Sequence, residues 1–82
     1  MSEPLHDDDD QPPLYAEICQ YYFRQITDGA IRAGELLPAA HEVAEKYGTS
    51  TATARRGLRL LARIGFAQAV PGHPYIALHP EP

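Results

Sequence analysis

One amphipathic segment, residues 49–65, limits most strongly what this chain can fold into. Ser50 can cap a helix, because its hydroxyl accepts hydrogen bonds from the free N–H groups of the first turn. Gly65 can end the helix, because glycine adopts the left-handed conformation common after helices. At about 100° per residue, the segment predicts a helix with one apolar face and one cationic face. The cationic set is Arg55, Arg56, Arg59 and Arg63, and the apolar set is Ala54, Leu58, Leu60, Leu61 and Ile64.

Charge is distributed unevenly along the chain. The formal net charge is −4, yet residues 1–10 hold five acidic side chains and no lysine or arginine. Residues 46–63 hold five cationic side chains and no acid. A local field acts on a partner more strongly than the total charge does, so the second segment suits an anionic partner.

Length and residue usage restrict the class of protein. Eighty-two residues allow one small domain. The single cysteine, Cys19, excludes an intramolecular disulfide and cannot alone form a thiolate zinc site. No apolar run is as long as a membrane span, and the acidic N-terminus differs from a signal peptide. We therefore expect a cytoplasmic protein with no membrane partner.

The domain boundaries follow from composition. Residues 1–12 are polar and acidic and predict a disordered tail, residues 13–78 predict the folded domain, and residues 79–82 predict an irregular C-terminal tail. The run Asp7–Asp10 has two interpretations. It either keeps the protein soluble or folds back over the arginines and competes with nucleic acid.

Two further helices are predicted before the cationic one. Pro13 is suited to the first turn of a helix whose apolar side chains recur every three or four residues. That stripe is Tyr15, Ile18, Cys19, Tyr22, Phe23 and Ile26. Tyr21 lies off the stripe and could face a partner. After a possible short strand at Glu35–Leu37, Pro38 is expected to open a second helix that ends at Gly48.

The remaining segments complete a recognisable order of elements. The second helix, the turn at Gly48 and the cationic helix form a helix-turn-helix. Residues 66–70 and 75–78 are short apolar runs on either side of Pro71–Gly72, which predicts a β-hairpin. The fold class is therefore mainly α with a small β-hairpin. Specifically, we expect a winged helix-turn-helix of three helices and a two- to three-stranded wing.

Residues spaced along most of the chain carry a family resemblance. They are Pro13-Leu14-Tyr15, Ile18, Ile26, Gly29, Ile31, Gly34, Leu37-Pro38, Val43-Ala44-Glu45-Lys46-Tyr47-Gly48, Ser50, Thr53-Ala54-Arg55-Arg56-Gly57-Leu58, Leu60-Leu61 and Gly65. Over about residues 12–78, this pattern resembles the N-terminal DNA-binding domain of GntR-family transcriptional regulators. Several anchors match together, which is more specific than one isolated motif.

The resemblance implies binding of double-stranded DNA by a homodimer, with the third helix in the major groove and the wing at an adjacent groove. Ser50, Thr53, Arg55 and Arg56 match positions that meet DNA in the family. Arginine can contact guanine bidentately, and a hydroxyl or a helix-end N–H can hold a phosphate. Arg59 and Arg63 lie farther along and are assigned to backbone contact or intramolecular pairing. The full set of candidate DNA-binding residues is Thr49, Ser50, Thr51, Thr53, Arg55, Arg56, Arg59, His41 and His73.

The chain also departs from the family pattern. His41 stands where the family usually has an arginine, Thr51 stands where another usually follows the capping serine, and the wing sequence 69–74 has no lysine or arginine. Since histidine is mostly neutral at pH 7, phosphate contacts are lost, and each lost contact is expected to weaken binding by a salt-dependent amount. Either the operator affinity is modest, or another surface or subunit supplies the missing DNA contacts. Family members usually continue into a ligand-sensing domain. The DNA-binding pattern already occupies about residues 12–78, so we expect no small-molecule effector domain in these 82 residues.

Enzyme chemistry is not indicated. His41-Glu42-Val43-Ala44-Glu45 resembles a zincin helix, but Glu45 stands where the second histidine is needed. His73 and His79 have no carboxylate near them in sequence to complete a metal site. No phosphate-cradling glycine loop or supported Ser/His/Asp set occurs. We therefore expect no catalytic residue, no metal and no cofactor.

Two hypotheses of different classes remain open. The first is a small transcription regulator that binds a short palindromic DNA site. The second is a winged-helix module that binds another protein through the wing or the first helix, with weak or no DNA binding. Arg55–Arg56 and the intact turn favour the first, whereas the apolar wing and the acidic tail favour the second.

Overall fold

The computed structural model describes residues 13–80 and, of His73, the backbone. The predicted acidic tail and the end of the predicted C-terminal tail lie outside the described residues. The elements are α1 (Leu14–Thr27), α2 (Ala40–Tyr47), α3 (Thr51–Arg63), β1 (Ala67–Val70) and β2 (His73–Ala77). This order is the predicted winged helix-turn-helix, so the fold class is confirmed.

Helix α1 forms where the apolar stripe is densest. Its buried side chains are Ile18, Cys19, Tyr22 and Ile26, while Tyr15 at the N-terminal end of the stripe and Phe23 at its edge are half-buried. Pro13 stands just before the helix rather than inside its first turn, and its carbonyl accepts the Ala16 N–H at 2.9 Å. The helix ends at Thr27 with Asp28 as its C-cap, because the following Gly29 takes a φ of 87° that does not continue a helix.

Helix α2 begins later than the sequence indicated. Pro38 was expected to open it, but the cap is Ala39 and the helix starts at Ala40. A capping box normally has two hydrogen bonds, one to the side chain of the cap residue and one from its backbone N–H. Ala39 has no side-chain acceptor, so only the second is formed. The Glu42 Oε1 accepts the Ala39 N–H at 3.0 Å. Val43 and Ala44 are buried, and Gly48 ends the helix with a left-handed φ of 64°.

Helix α3 has the predicted cap and the predicted stop. The Ser50 Oγ accepts the Thr53 N–H at 3.1 Å, and Gly65 has a φ of 94°. The buried side is formed by Ala54, Gly57, Leu58 and Leu61. The expectation that Ile64 is buried is wrong, since 47% of its surface is exposed. The helix ends at Arg63, so the helical wheel no longer gives the direction of residue 64.

The wing is an antiparallel hairpin with a third segment at its edge. Ala67 pairs with Ala77 and Val70 with His73, and the register shifts between Gln68 and Val70. Leu36 forms one antiparallel bridge with Ile76. The predicted strand at residues 35–37 is therefore reduced to one bridge. The backbone hydrogen bond from Leu37 to Tyr75 (2.7 Å) anchors the segment before α2 on the wing.

The core lies where α3 packs against α1, α2 and the wing. Ile18, Leu58 and Leu61 are fully buried, and each such side chain contributes about 1.5–3 kcal/mol relative to an exposed one. The rings of Phe23 and Phe66 meet edge to face with centroids 4.7 Å apart, which joins α1 to the base of the wing. Within residues 13–80, no helix is long and apolar enough to cross a membrane.

Candidate nucleic-acid interface

The first half of α3 lines one side of an open groove. The start of α2 and the wing line the other sides, and the groove has a volume of about 560 Å³. We call it the wing groove, and its principal lining residues are His41, Thr51, Arg55, Ala69, Gly72 and Tyr75. His41, Thr51 and Arg55 are exposed, so three predicted site residues from two helices share this groove.

The start of α3 is held in place by local hydrogen bonds. Ser50 accepts the Thr53 N–H, and its hydroxyl donates to the Thr53 Oγ1 at 3.0 Å. Thr49 is half-buried in the turn, and its N–H donates to the carbonyl of Ala44 at 2.9 Å. The free N–H groups and the positive end of the helix dipole therefore point out of a fixed helix start. Such an end attracts phosphate.

The arginines of α3 divide into two surfaces. All four are exposed, so none is turned into the core. Arg55 faces the wing groove, whereas the Arg56 guanidinium carbon lies 4.1 Å from the Tyr15 ring centroid. A depression of about 240 Å³ lies there, and we call it the Tyr15 surface. It is lined by Tyr15, Arg56, Arg59, Leu60 and Arg63. The sequence predicted one cationic face. In the structure Arg55 lies beside the wing and Arg56 lies beside Tyr15 of α1, so the two neighbouring arginines belong to different surfaces.

The three helices and most of the wing lie within a segment that matches a known protein family. Residues 14–75 match the family described as bacterial regulatory proteins, gntR family. The chain belongs to the gntR family. The predicted resemblance is therefore confirmed over most of the described residues.

Individual relatives agree with this assignment. The HTH-type transcriptional regulator TreR of Bacillus subtilis (strain 168) is 38% identical over 68 residues, which are 83% of this chain and 27% of TreR. The chain thus spans about a quarter of the length of that relative. A GntR family transcriptional regulator from Listeria monocytogenes superposes with a TM-score of 0.76 at 26% identity, covering 84% of this chain and 60% of that one.

A further solved structure shows the fold in a complex. AraR(DBD) in complex with operator ORX1 superposes with a TM-score of 0.79, covering 85% of this chain and 84% of that one. The sequences are 23% identical, so this likeness concerns the fold alone.

The wing of this gntR-family chain contributes shape rather than charge. No lysine or arginine occurs between Ala67 and Ala77. The turn is made by Pro71 and Gly72, and Gly72 has a φ of 77° that other residues rarely adopt. His73 lies directly after the turn and pairs through its backbone with Val70. The predicted site histidines are therefore in different places, with His41 at the wing groove and His73 at the tip of the wing.

A contact between α1 and α2 was not anticipated from the sequence. The Lys46 Nζ donates to the Tyr21 Oη at 3.0 Å and lies 4.2 Å from the Tyr21 ring centroid. This hydrogen bond raises the pKa of Lys46. The sequence suggested that Tyr21 could face a partner; in the structure Tyr21 is half-buried, and its hydroxyl and ring contact Lys46. Burial raises the pKa of both Tyr22 and Tyr47 beside it.

Sequence reasoning missed some of the residues that shape these surfaces. Tyr15 was assigned to the apolar stripe, yet it is half-buried and its ring contacts the guanidinium group of Arg56. Its position in the first turn of α1, at the N-terminal end of the stripe, was the available signal of partial burial, and a partly exposed aromatic ring can accept a cation on its face. Tyr75 and Ala69 line the wing groove, and no pattern in the sequence indicated which side of the hairpin would face α2.

Proposed function

We propose that the chain binds double-stranded DNA as the DNA-binding domain of a transcription regulator. The observation that carries this proposal is the wing groove, where the fixed start of α3 presents Thr51 and Arg55 beside His41 and the wing. A helix that enters the major groove contacts base edges with its N-terminal residues. AraR(DBD), which has the same fold, was solved in complex with an operator, and this supports DNA binding by the present chain.

The candidate residues take different roles in this proposal. Arg55 points into the wing groove and suits a guanine edge, where arginine forms two hydrogen bonds. Thr51 and Thr53, with the N–H groups of the first turn, suit phosphate oxygens. Ser50 and Thr49 hold the helix start through their hydrogen bonds, and the exposed Ser50 also faces the DNA phosphates.

Cations and histidines farther from the helix start are assigned to the DNA backbone. Arg56 and Arg59 lie on the Tyr15 surface and suit phosphates flanking the major groove. His41 and His73 lie at the groove and at the wing tip, where an imidazole can donate one hydrogen bond to phosphate. This set offers fewer fixed charges than a wing with arginines would, so we propose a modest affinity with a shallow salt dependence.

We propose that the chain acts in the cytoplasm as a homodimer, by binding rather than catalysis and without a cofactor. Helix-turn-helix dimers contact two half-sites about one helical turn apart, so a palindromic site is expected. The test is selection of duplexes from a random DNA pool with the purified chain. Two inverted half-sites are expected among the recovered duplexes, and sedimentation of the chain with such a duplex is expected to give two chains per DNA. A pool without enrichment would contradict the proposal.

A second candidate function rests on a different surface. Ala16, Cys19, Gln20, Phe23 and Ile64 line a mostly apolar depression of about 380 Å³ on the side of α1. An exposed isoleucine beside this depression suits contact with another protein. If the pool shows no enrichment, replacement of Ile64 by lysine distinguishes this candidate, because it would abolish association of the chain with itself or with a partner while leaving the fold intact.

A further inference from the structure

The Tyr15 surface concentrates positive charge beside the start of α1. Arg56, Arg59 and Arg63 are spaced three and four residues apart on α3, and all are exposed. They line one depression with Tyr15, and Arg56 is held there by the Tyr15 ring. Three guanidinium groups within about 10 Å along a helix repel one another unless an anion lies among them. Segment 46–63 supplies no carboxylate for this purpose.

The chain itself carries a matching set of anions a few residues before α1 in sequence. Asp7–Asp10 precede Pro13 by only three to six residues, and Tyr15 is the second residue of α1. An extended chain spans about 3.3–3.6 Å per residue, so Asp10 can lie up to roughly 11 Å from Pro13 and Asp7 up to roughly 22 Å. The distance along α3 from Arg56 to Arg63 is about 10 Å. The reach of the four carboxylates is therefore comparable with the length over which the three arginines are spread.

We propose that Asp7–Asp10 dock on the Tyr15 surface of their own chain, with carboxylates accepting hydrogen bonds from the guanidinium groups of Arg56, Arg59 and Arg63. The short connection to Pro13 gives the acidic run a local concentration in the millimolar range, so weak individual ion pairs act together. The tail then neutralises the charge that α3 exposes beside α1.

The wing groove is the less suitable docking place for the same segment. Arg55 is the single arginine that lines it, and its other walls include Ala39, Ala40 and Tyr75. The tail enters the fold at α1, and Tyr15 of α1 lines the Tyr15 surface but not the wing groove. Docking on the Tyr15 surface thus leaves Arg55 free and covers Arg56 and Arg59. Competition with DNA for those two residues rests on the proposed function, whereas the docking itself does not.

The test uses the full chain without DNA. We would record the NMR resonances of the backbone amides and of the arginine Nε–Hε groups for the wild type and for a variant with Asp7→Asn, Asp8→Asn, Asp9→Asn and Asp10→Asn. Neutralising the run is expected to shift resonances of Tyr15, Arg56, Arg59 and Arg63 and to leave those of His41 and Thr51 unchanged. Glu3→Gln, which removes one charge farther from Pro13, is the matched control and is expected to give at most a small part of the response.

Salt and dilution decide between this contact and its alternatives. In about 1 M NaCl, where charges are screened beyond about 3 Å, the wild-type resonances are expected to move to the positions of the neutralised variant. The shifts are expected to be independent of protein concentration. Arg63→Gln, at an exposed position, is expected to reduce the response by about a third or more. The proposal is overturned if neutralisation leaves the Tyr15 surface unaffected, if it shifts the wing groove equally, or if dilution alone removes the contact, since a second copy would then supply the tail.

Discussion

The guanidinium carbon of Arg56 lies 4.1 Å from the centroid of the Tyr15 ring, and this contact joins the exposed side of α3 to the first turn of α1. A cation–π contact at an exposed site is worth about 0.5–1 kcal/mol. A double-mutant cycle with Tyr15→Ala and Arg56→Ala is therefore expected to give a coupling free energy of that size in urea unfolding. Tyr15→Phe keeps the ring and is expected to retain the coupling. Additive effects of the two alanine substitutions would show that the contact contributes nothing.

The close approach of α1 and α3 at Gly57 predicts an unusual response to alanine. A Cβ atom at Gly57 would lie 2.8 Å from the Ile18 Cγ2 and 2.8 Å from the backbone oxygen of Tyr15. Alanine normally stabilises a helix interior by about 1 kcal/mol relative to glycine, but overpacking costs about 1–3 kcal/mol. Because backbone cannot yield as a side chain does, Gly57→Ala is expected to lower the free energy of unfolding by about 1 kcal/mol. A gain in stability, measured by urea unfolding, would show that the helices have room to separate.

Gly57 also shows where sequence reasoning reached its limit. The wheel of α3 placed Leu58 and Leu61 correctly in the core, because apolar periodicity reports which side of a helix is buried. The same wheel places Gly57 at about 200°, on that buried side, but it could not show why a glycine is needed there. The reason for that glycine is the distance to α1, which belongs to packing between helices. The fold class was therefore predictable, and the spacing of its helices was not.

The candidate site was predictable to a similar degree. Ser50 was identified as a cap from its residue type and position, and the structure confirms its hydrogen bond to the Thr53 N–H. The separation of Arg55 from Arg56 could not be predicted, because it depends on which neighbour lies beside each residue. Tyr15 reaches Arg56 from α1, and the wing faces Arg55. No periodicity within α3 carries that information.

The cap of α3 allows stability and DNA binding to be separated. Ser50→Ala removes the acceptor for the Thr53 N–H and is expected to cost about 1 kcal/mol. Ser50→Asp keeps an acceptor at a position where aspartate caps as well as serine does, so stability is expected to stay within about 0.5 kcal/mol of the wild type. The added carboxylate faces the phosphates in the proposed complex and is expected to weaken DNA binding by about tenfold or more. Urea unfolding and fluorescence anisotropy measure the two effects, and equal DNA binding by Ser50→Asp would place the DNA elsewhere.

Several groups predict loss of stability at alkaline pH. Burial raises the pKa of the Cys19 thiol above 9.0 and raises that of the Tyr22 and Tyr47 hydroxyls above 10.0. The Tyr21 hydrogen bond raises the pKa of Lys46 above 10.5. The unfolded chain therefore releases these protons first as the pH rises, so their contribution is complete below about pH 9 and is lost above it.

The measurement for this prediction is the urea midpoint between about pH 7 and pH 11. It is expected to be level up to about pH 9 and to fall beyond it. Tyr21→Phe removes the hydrogen-bond partner of Lys46 and is expected to make the fall above about pH 10 shallower. A midpoint that stays constant to pH 11 would show that these groups titrate alike in both states.

The central claim, that the exposed start of α3 binds DNA through Arg55, is tested most directly by a salt titration with a matched pair of variants. Fluorescence anisotropy of the full chain on a labelled duplex is expected to show binding at about 50 mM NaCl, with log Kobs falling linearly as log salt rises. Arg55→Ala is expected to lower the affinity by about tenfold or more, since a bidentate base contact is worth about 1–3 kcal/mol. Arg32→Ala removes the same charge from an exposed site on the connector between α1 and α2, and its effect is expected to stay below about twofold. Equal losses in the two variants, or no binding by the wild type at low salt, would contradict the account.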